Sequence, residues 1–435
     1  MFEPLADVRA VHFAATVLAA GIVLCRFFVA EPASGLAEGD LSSALKRLPA
    51  RWSRMVWAFL AVALLSGAAW LALLARDIYG APIGDIWSNG GLWTVATQTR
   101  FGQISFLRLG LAVLLALTLT RAIDVQPRPR WSFTPAMLAA GFLILPAWTG
   151  HAGAMPGLAG QFDAAADALH LFAAGAWIGG LLPLAMLLAA ARGAKAPSRA
   201  AFITAAVGRF SLLGIVSVAA LLATGIINTW YDVGSIDGLI ETTYGRLVLL
   251  KIGLFVAMVG IATVNRFYLT PRLAAAAATY QLQRNCAAEI ALGLAAVFVV
   301  GFLGTMAPAA HAHHHAATAA VPGDAAFVHI HSTQGMAEVT ITPGRVGTAR
   351  ASIRLFNDDF GPLDAKEVTL ALTAPAAGSK PTIRSASLGA DGAWQVEDIE
   401  LSQGGDWSAE VGAVLGPDSR LSLAAPIVIE PEARP

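Results

Sequence analysis

His12-Phe13-Ala14-Ala15-Thr16-Val17-Leu18-Ala19-Ala20-Gly21 and His170-Leu171-Phe172-Ala173-Ala174-Gly175-Ala176-Trp177-Ile178-Gly179 decide the fold. Each opens a long apolar run on a histidine and reaches a glycine at the same interval. The correspondence continues in order along the chain. Gly141-Phe142-Leu143 lead to His151 as Gly301-Phe302-Leu303 lead to His311. Thr99-Arg100-Phe101-Gly102 lead to Arg108 and Gly110, as Thr242-Thr243-Tyr244-Gly245 lead to Lys251 and Gly253. A membrane part written twice implies two similar helical bundles about a pseudo-twofold axis, with a site expected at the repeat interface. Paired histidines at that interface suggest a metal.

Composition agrees with a membrane protein. Of 435 residues, 56% are hydrophobic and only 13% charged, and the mean hydropathy is +0.63, too apolar for a soluble domain. Acids and bases balance at 29 each, which argues against a nucleic-acid partner. Apolar runs at 8–30, 57–75, 104–120, 133–149, 166–190, 210–230, 247–264 and 287–307 predict eight spans, since about 20 apolar residues cross the hydrocarbon core. Basic residues gather in alternate loops: Lys46, Arg47, Arg51 and Arg54, then Arg121, Arg128 and Arg130, then Arg192, Lys195 and Arg199, then Arg266, Arg272 and Arg284. The positive-inside rule then places both termini outside the cytoplasm. All nine histidines fall at or near the outer face, and Cys25 and Cys286 near the inner ends of their spans. With no cysteine in the outer segments, no disulfide is expected there.

After Met306 the pattern changes. The run from Ala307 to His315 reads as a flexible histidine-rich tether. From about Ala325 the apolar residues recur with period two: Ala349, Ala351, Ile353 and Leu355 share one face, and Val368, Leu370 and Leu372 repeat the pattern. Roughly seven short strands of this kind predict a small extracytoplasmic β-sandwich. The expected organisation is a first four-helix repeat over 1–150, a second over 151–308, the tether over 309–324 and the sandwich over 325–435, that is, a membrane all-α fold of two parallel repeats followed by a β-domain.

The outer face offers copper ligands of both kinds, imidazole for Cu(II) and thioether for Cu(I). His12, His151, Met155, His170 and Met306 are the candidates in the membrane part. His311, His313, His314 and His315 form a cluster suited to loose capture. In the tail, His329 and His331 project from one strand face with Met336 nearby. Each has a plainer reading. A helix-end histidine can simply bond a neighbour, and histidines on an edge strand can simply be solvated. Asp167, one turn before His170, can orient its imidazole or cap the helix. Cys25 and Cys286 are possible exit ligands for Cu(I), or small packed residues. Arg108 and Lys251, equivalent and intramembrane, are expected to snorkel, pair with acids or hold an anionic group. No nucleotide loop, aspartyl-phosphate motif or nucleophile elbow is present, which argues against an ATP-driven pump.

Asp167-Ala168-Leu169-His170, continuing through Gly175-Ala176-Trp177-Ile178-Gly179-Gly180, resembles the copper resistance D family (CopD, PcoD and YcnJ). Thr149-Gly150-His151-Ala152 and Thr242-Thr243-Tyr244-Gly245-Arg246 are similar to it too, and the likeness extends to about Pro308. The tail is similar to the YtkA-type β-domain of some relatives. The resemblance implies a multi-pass protein of the bacterial inner membrane that moves copper inward from the periplasm. A CopC-type periplasmic protein would be a possible donor, since no CopC-like domain stands at this N-terminus. Its partners are then the copper ion and membrane lipid, and it is not expected to be an enzyme. The rival is a b-type membrane oxidoreductase, with histidines as axial ligands of haem b and Arg108 and Lys251 on its propionates.

Overall fold

The computed structural model describes residues 4–124, 133–149, 157–193, 196–306, 324–332, 335–356, 363–375, 380–389, 391–416 and 420–431. His151, Met155, His311, His313, His314 and His315 lie outside the described residues. The chain forms two compact units, residues 1–313 and 314–435.

The first unit is helical. Its long helices are α1 (Pro4–Cys25), α2 (Leu48–Tyr79), α3 (Arg100–Asp124), α4 (Phe133–Ile144), α5 (Gly157–Ala174), α6 (Gly180–Ala190), α7 (Ala196–Asp232), α8 (Thr243–Val264) and α9 (Ala276–Leu303). A π-helical turn, Gly175–Gly179, joins α5 to α6 as one span. Among the described residues seven helical stretches have the length and composition to cross a membrane. The eighth expected span is shorter, because α4 passes at Leu145 into a 3-10 helix, Leu145–Thr149, around Pro146. Twelve residues at about 1.5 Å and five at about 2.0 Å still give about 28 Å, close to the hydrocarbon thickness.

The two repeats of the sequence meet where α1 crosses the fifth span. Gly21 and Gly179, the paired glycines of the sequence repeat, lie against each other. A Cβ on Gly21 would overlap the Gly179 backbone, and one on Gly179 would overlap the Val17 carbonyl. With lipid on the outside, close helix approach rests on small residues of this kind. Around the crossing, Ile22, Leu24, Ala176, Trp177, Leu181 and Leu184 are buried in one core.

The repeated Thr-x-x-Gly is a helix start. Each copy inserts a short helix, Gly91–Gln98 or Ile236–Glu241, before its third long helix. The Thr99 hydroxyl accepts from Gly102 N at 3.1 Å, and Thr242 from Gly245 N at 2.9 Å. Both are N-caps on the first turn of the helix. Glycine is required at the fourth position because a Cβ would strike the short helix, at Ala96 in one copy and Gly238 in the other.

The second unit is an all-antiparallel sheet of eight described strands in the order β1-β2-β3-β6-β5-β4-β7-β8. They are β1 (Ala326–Ser332), β2 (Gly335–Thr342), β3 (Gly347–Phe356), β4 (Glu367–Thr373), β5 (Thr382–Leu388), β6 (Trp394–Leu401), β7 (Gly405–Val414) and β8 (Arg420–Ile429). Alternate residues of both halves, among them Val339, Ile353, Leu370, Trp407, Val411 and Leu423, bury into one core. Eight strands are described where roughly seven were expected, and they differ in how clearly the sequence marks them. In β5 every position but one is exposed, so no period-two apolar signal marks it.

Candidate functional site

The two histidines of the repeat occupy matching but chemically unlike sites. His12 Nδ1 lies 2.9 Å from the Ala63 carbonyl and 3.2 Å from the Ser66 hydroxyl. His170 Nδ1 lies 2.9 Å from the Thr224 hydroxyl. Each pair joins the first and second long spans of its own repeat, and the sequence separation is 54 in both. The next residues, Gly67 and Gly225, stand against the Cε1 edge of the respective ring. The pairing Ser66-Gly67 with Thr224-Gly225 is thus a further element of the repeat, one that the apolar pattern conceals.

In the first repeat the site is closed. The Arg108 guanidinium donates to His12 Nε2, to Thr16 Oγ1 at 3.0 Å and, through Nε, to the Phe142 carbonyl at 3.1 Å. That carbonyl would have served residue 146 in a continuing helix, but Pro146 has no N–H to donate. The buried arginine meets this need and also stacks on the Phe142 ring, with Cζ 4.5 Å from the centroid. Because arginine can only donate, His12 carries its proton on Nδ1, donates it to Ala63, and accepts at Nε2. Both ring nitrogens are engaged. Arg108 therefore neither snorkels nor holds an acid: it binds a carbonyl, a hydroxyl and an imidazole.

In the second repeat the site is open. Thr224 donates its own proton to the Ala220 carbonyl at 2.7 Å, so it accepts from His170 Nδ1. That leaves the Nε2 lone pair unengaged among the described residues, and the ring lines a cavity of about 680 Å³. Polar groups from three spans face this space: Asp163, Asp167, Asp232, Asn228, Tyr244 and Lys251. Asn228 Nδ2 donates to Asp167 at 2.9 Å, and the Tyr244 hydroxyl to Asp232 at 3.2 Å. Lys251 acts electrostatically on both Asp167 and Asp232. The rest of the lining is apolar, including Leu171, Trp177, Phe255 and Met258, with Arg9, Phe13 and Trp70 of the first repeat on one side.

Equivalent positions have diverged in charge. Arg9 stands where the second repeat has Asp167, and Trp70 where it has Asn228. Accordingly Arg9 stacks on Trp70, with Cζ 4.5 Å from the ring, where Asp167 accepts from Asn228. One copy presents guanidinium and indole, the other carboxylates around an open imidazole. Only the second suits a cation.

The remaining candidates fall elsewhere. Met306 is half-buried beside the apolar cluster of Val233, Tyr244, Val299 and Leu303. Cys25 and Cys286 are free thiols, buried in the core away from this cavity. In the β-domain the register sets His331 opposite Met336 and His329 opposite Glu338, with Met336 and Glu338 buried. Among the described residues no group of three or more His, Cys, Asp or Glu converges as a metal cage. The residues that the repeat pattern alone did not single out are Arg9, Thr16, Ser66, Thr224, Asn228 and Asp232. All are ordinary helix residues, and Ser66, Thr224, Asn228 and Asp232 lie on helices that carry none of the marked repeat positions.

Residues 204–303 match the family model described as "Copper resistance protein D", and residues 1–161 match "Copper resistance protein D-like, N-terminal domain". The "Copper resistance protein D" of Pseudomonas syringae pv. tomato is 29% identical over 261 residues, covering 56% of this chain and 83% of that protein. The "Inner membrane protein YebZ" of Escherichia coli is 32% identical over 254 residues, covering 56% and 81%. The "Copper transport protein CutJ" of Bacillus subtilis is 24% identical over 354 residues, covering 79% of this chain and 61% of that protein. No solved structure matches. The chain is a copper-related, multi-pass inner-membrane protein, and it belongs to the copper resistance protein D family.

Proposed function

We propose that this protein takes copper from the periplasm into the membrane through the second-repeat cavity and delivers it inward to the cytoplasm. One observation carries the reading: His170 keeps Nε2 open to a cavity ringed by Asp163, Asp167 and Asp232, while Arg108 closes the equivalent His12. Imidazole suits copper, and carboxylates near the ring favour a cation over an anion. Lys251, facing Asp167 and Asp232, holds the acids' charge when no ion is present and must yield when one enters. The names of the relatives, which speak of copper resistance and of copper transport, support the cargo. The basic loops support an orientation with both termini, and with them the tether and β-domain, on the periplasmic side. There His311, His313, His314 and His315, with the His329, His331 and Met336 set, would gather copper ahead of the cavity.

The haem reading asks for a second imidazole with a free nitrogen beside His170. Among the described residues of the membrane part the one other imidazole is His12, and Arg108 takes its Nε2.

The test is copper retained per purified protein, and radiocopper uptake by copper-limited cells, for the wild type, His170→Ala and Asp167→Asn. His170→Ala should lose most of both and Asp167→Asn part of both. Normal retention and uptake in His170→Ala would remove the cavity from the path.

A further inference from the structure

Outside the cavity lining lies a second polar group that copper handling, as described above, does not use. Glu289, on α9, is 1% exposed in the core of the membrane unit. Asn265 Nδ2 donates to its Oε1 at 2.6 Å, and the Trp177 indole N–H donates to the same carboxyl. Asn265 accepts in turn from Asn285 Nδ2 at 2.6 Å, and Asn285 from Gln281 Nε2 at 2.9 Å. Gln281 is exposed. A continuous polar track thus runs from the surface to a buried carboxyl, with every donor directed inward.

The other end of this track touches the cavity. Trp177 lines that space with its ring and reaches Glu289 with its N–H. It sits in the π-helical turn Gly175–Gly179, whose glycine lets α1 approach, so the turn that seals the repeat interface also spans the two polar groups.

The titratable neighbours are few. From its own helix Glu289 has Cys286, and Arg284 is exposed. From α1 there is Cys25: α1 and α9 run antiparallel with Ala10 against Gly301, and about 22 Å of rise along each brings the two thiols level. The π-helical turn after α8 carries Arg266, whose guanidinium goes to Ser211, and Tyr268, which is exposed. The helix α6 contributes no ionisable side chain. Arg26 is paired with Glu31 at 2.8 Å. No cation pairs with Glu289 among the described residues. An ionisable group held in the membrane without a counter-charge is costly and marks function. Two N–H donors can hold the carboxylate and the apolar core can hold the neutral acid, so both protonation states are accommodated.

We propose that Glu289 is a proton-binding site, exchanging its proton with water that reaches it beside the Asn265–Asn285–Gln281 track, and that Trp177 links its occupancy to the ion in the cavity. The exchange is a simple dissociation, carboxyl to carboxylate: the amides relay no proton themselves, and the proton passes to solvent water admitted beside the polar side chains of Asn265, Asn285 and Gln281. This rests on the copper reading only for what the proton is coupled to, so the two are tested separately.

The first arm uses infrared spectroscopy of the full-length protein in lipid, with no metal added. A protonated-carboxyl band should vanish as pH rises, shift in deuterium oxide, and be missing in Glu289→Gln. Asn285→Leu, which cuts the track without touching the carboxyl, should keep the band but slow its deuterium exchange severalfold. A wild-type spectrum with no pH-dependent carboxyl band, or an identical spectrum in Glu289→Gln, overturns the proposal whether or not the protein carries copper. The second arm follows copper entry into proteoliposomes with a trapped pH dye. Wild-type copper flux should move lumenal pH, and Glu289→Gln should bind copper normally while losing the pH change. Copper flux in the wild type with a constant lumenal pH overturns the coupling and leaves the copper reading standing.

Discussion

Arg108→Met separates a structural cation from a functional one. Methionine keeps roughly the volume but removes every donor that Arg108 directs at His12, Thr16 and Phe142. Thr16 can turn its hydroxyl elsewhere. Two buried acceptors cannot be served: the Phe142 carbonyl, orphaned by Pro146, and His12 Nε2. Each stranded buried acceptor costs about 1–3 kcal/mol, so the loss should be about 2–6 kcal/mol. The variant also no longer buries a charge, which offsets part of this and favours the lower half of the range. Equilibrium unfolding in mixed micelles would measure the difference. Copper retained per folded molecule should stay near the wild-type value. Lys251→Met is the contrast. No comparable set of hydrogen bonds holds Lys251 among the described residues, and its charge faces Asp167 and Asp232. Its removal strands the half-buried Asp167 and Asp232 without that counter-charge, so the variant should cost stability as well, but unlike Arg108→Met it should also alter copper retention per folded molecule. The reasoning fails if Arg108→Met lies within about 0.5 kcal/mol of the wild type, the range of ordinary surface changes. It fails equally if copper is lost at unchanged stability.

Gly179→Ala should abolish folding or assembly of the membrane unit, because its Cβ would enter the Val17 carbonyl. Gly110→Ala and Gly253→Ala, with open space around each, should be neutral or stabilise by up to about 1 kcal/mol. Expression in the membrane and unfolding curves check this; a well-folded Gly179→Ala would deny the close crossing. Alkaline phosphatase fused after Pro435 should be active, as the basic loops require, and activity of a cytoplasm-only reporter there would reverse the orientation. The visible spectrum of the purified protein should lack a Soret band, and a Soret band that His170→Ala removes would establish haem in the cavity instead.

The helical spans, the repeat and the β-domain were legible in the sequence for one reason: each is periodic. Membrane spans announce themselves by length, because the bilayer core sets how many apolar residues a helix needs. The repeat announces itself because equivalent glycines and threonines answer equivalent local demands, as Thr99 and Thr242 cap and Gly21 and Gly179 cross. Strand β5 carries no such signal, because solvent on both its faces leaves no alternation to read. The inequality of the two copies was not legible. His12 and His170 look alike in the chain, and Arg108 and Lys251 look like one cation repeated. Their difference arises from groups distant in sequence, Pro146 freeing a carbonyl for Arg108 and Asp167 and Asp232 acting electrostatically on Lys251. Which nitrogen of a histidine is left open depends on what the neighbouring helices bring to it, and only the packed bundle decides that.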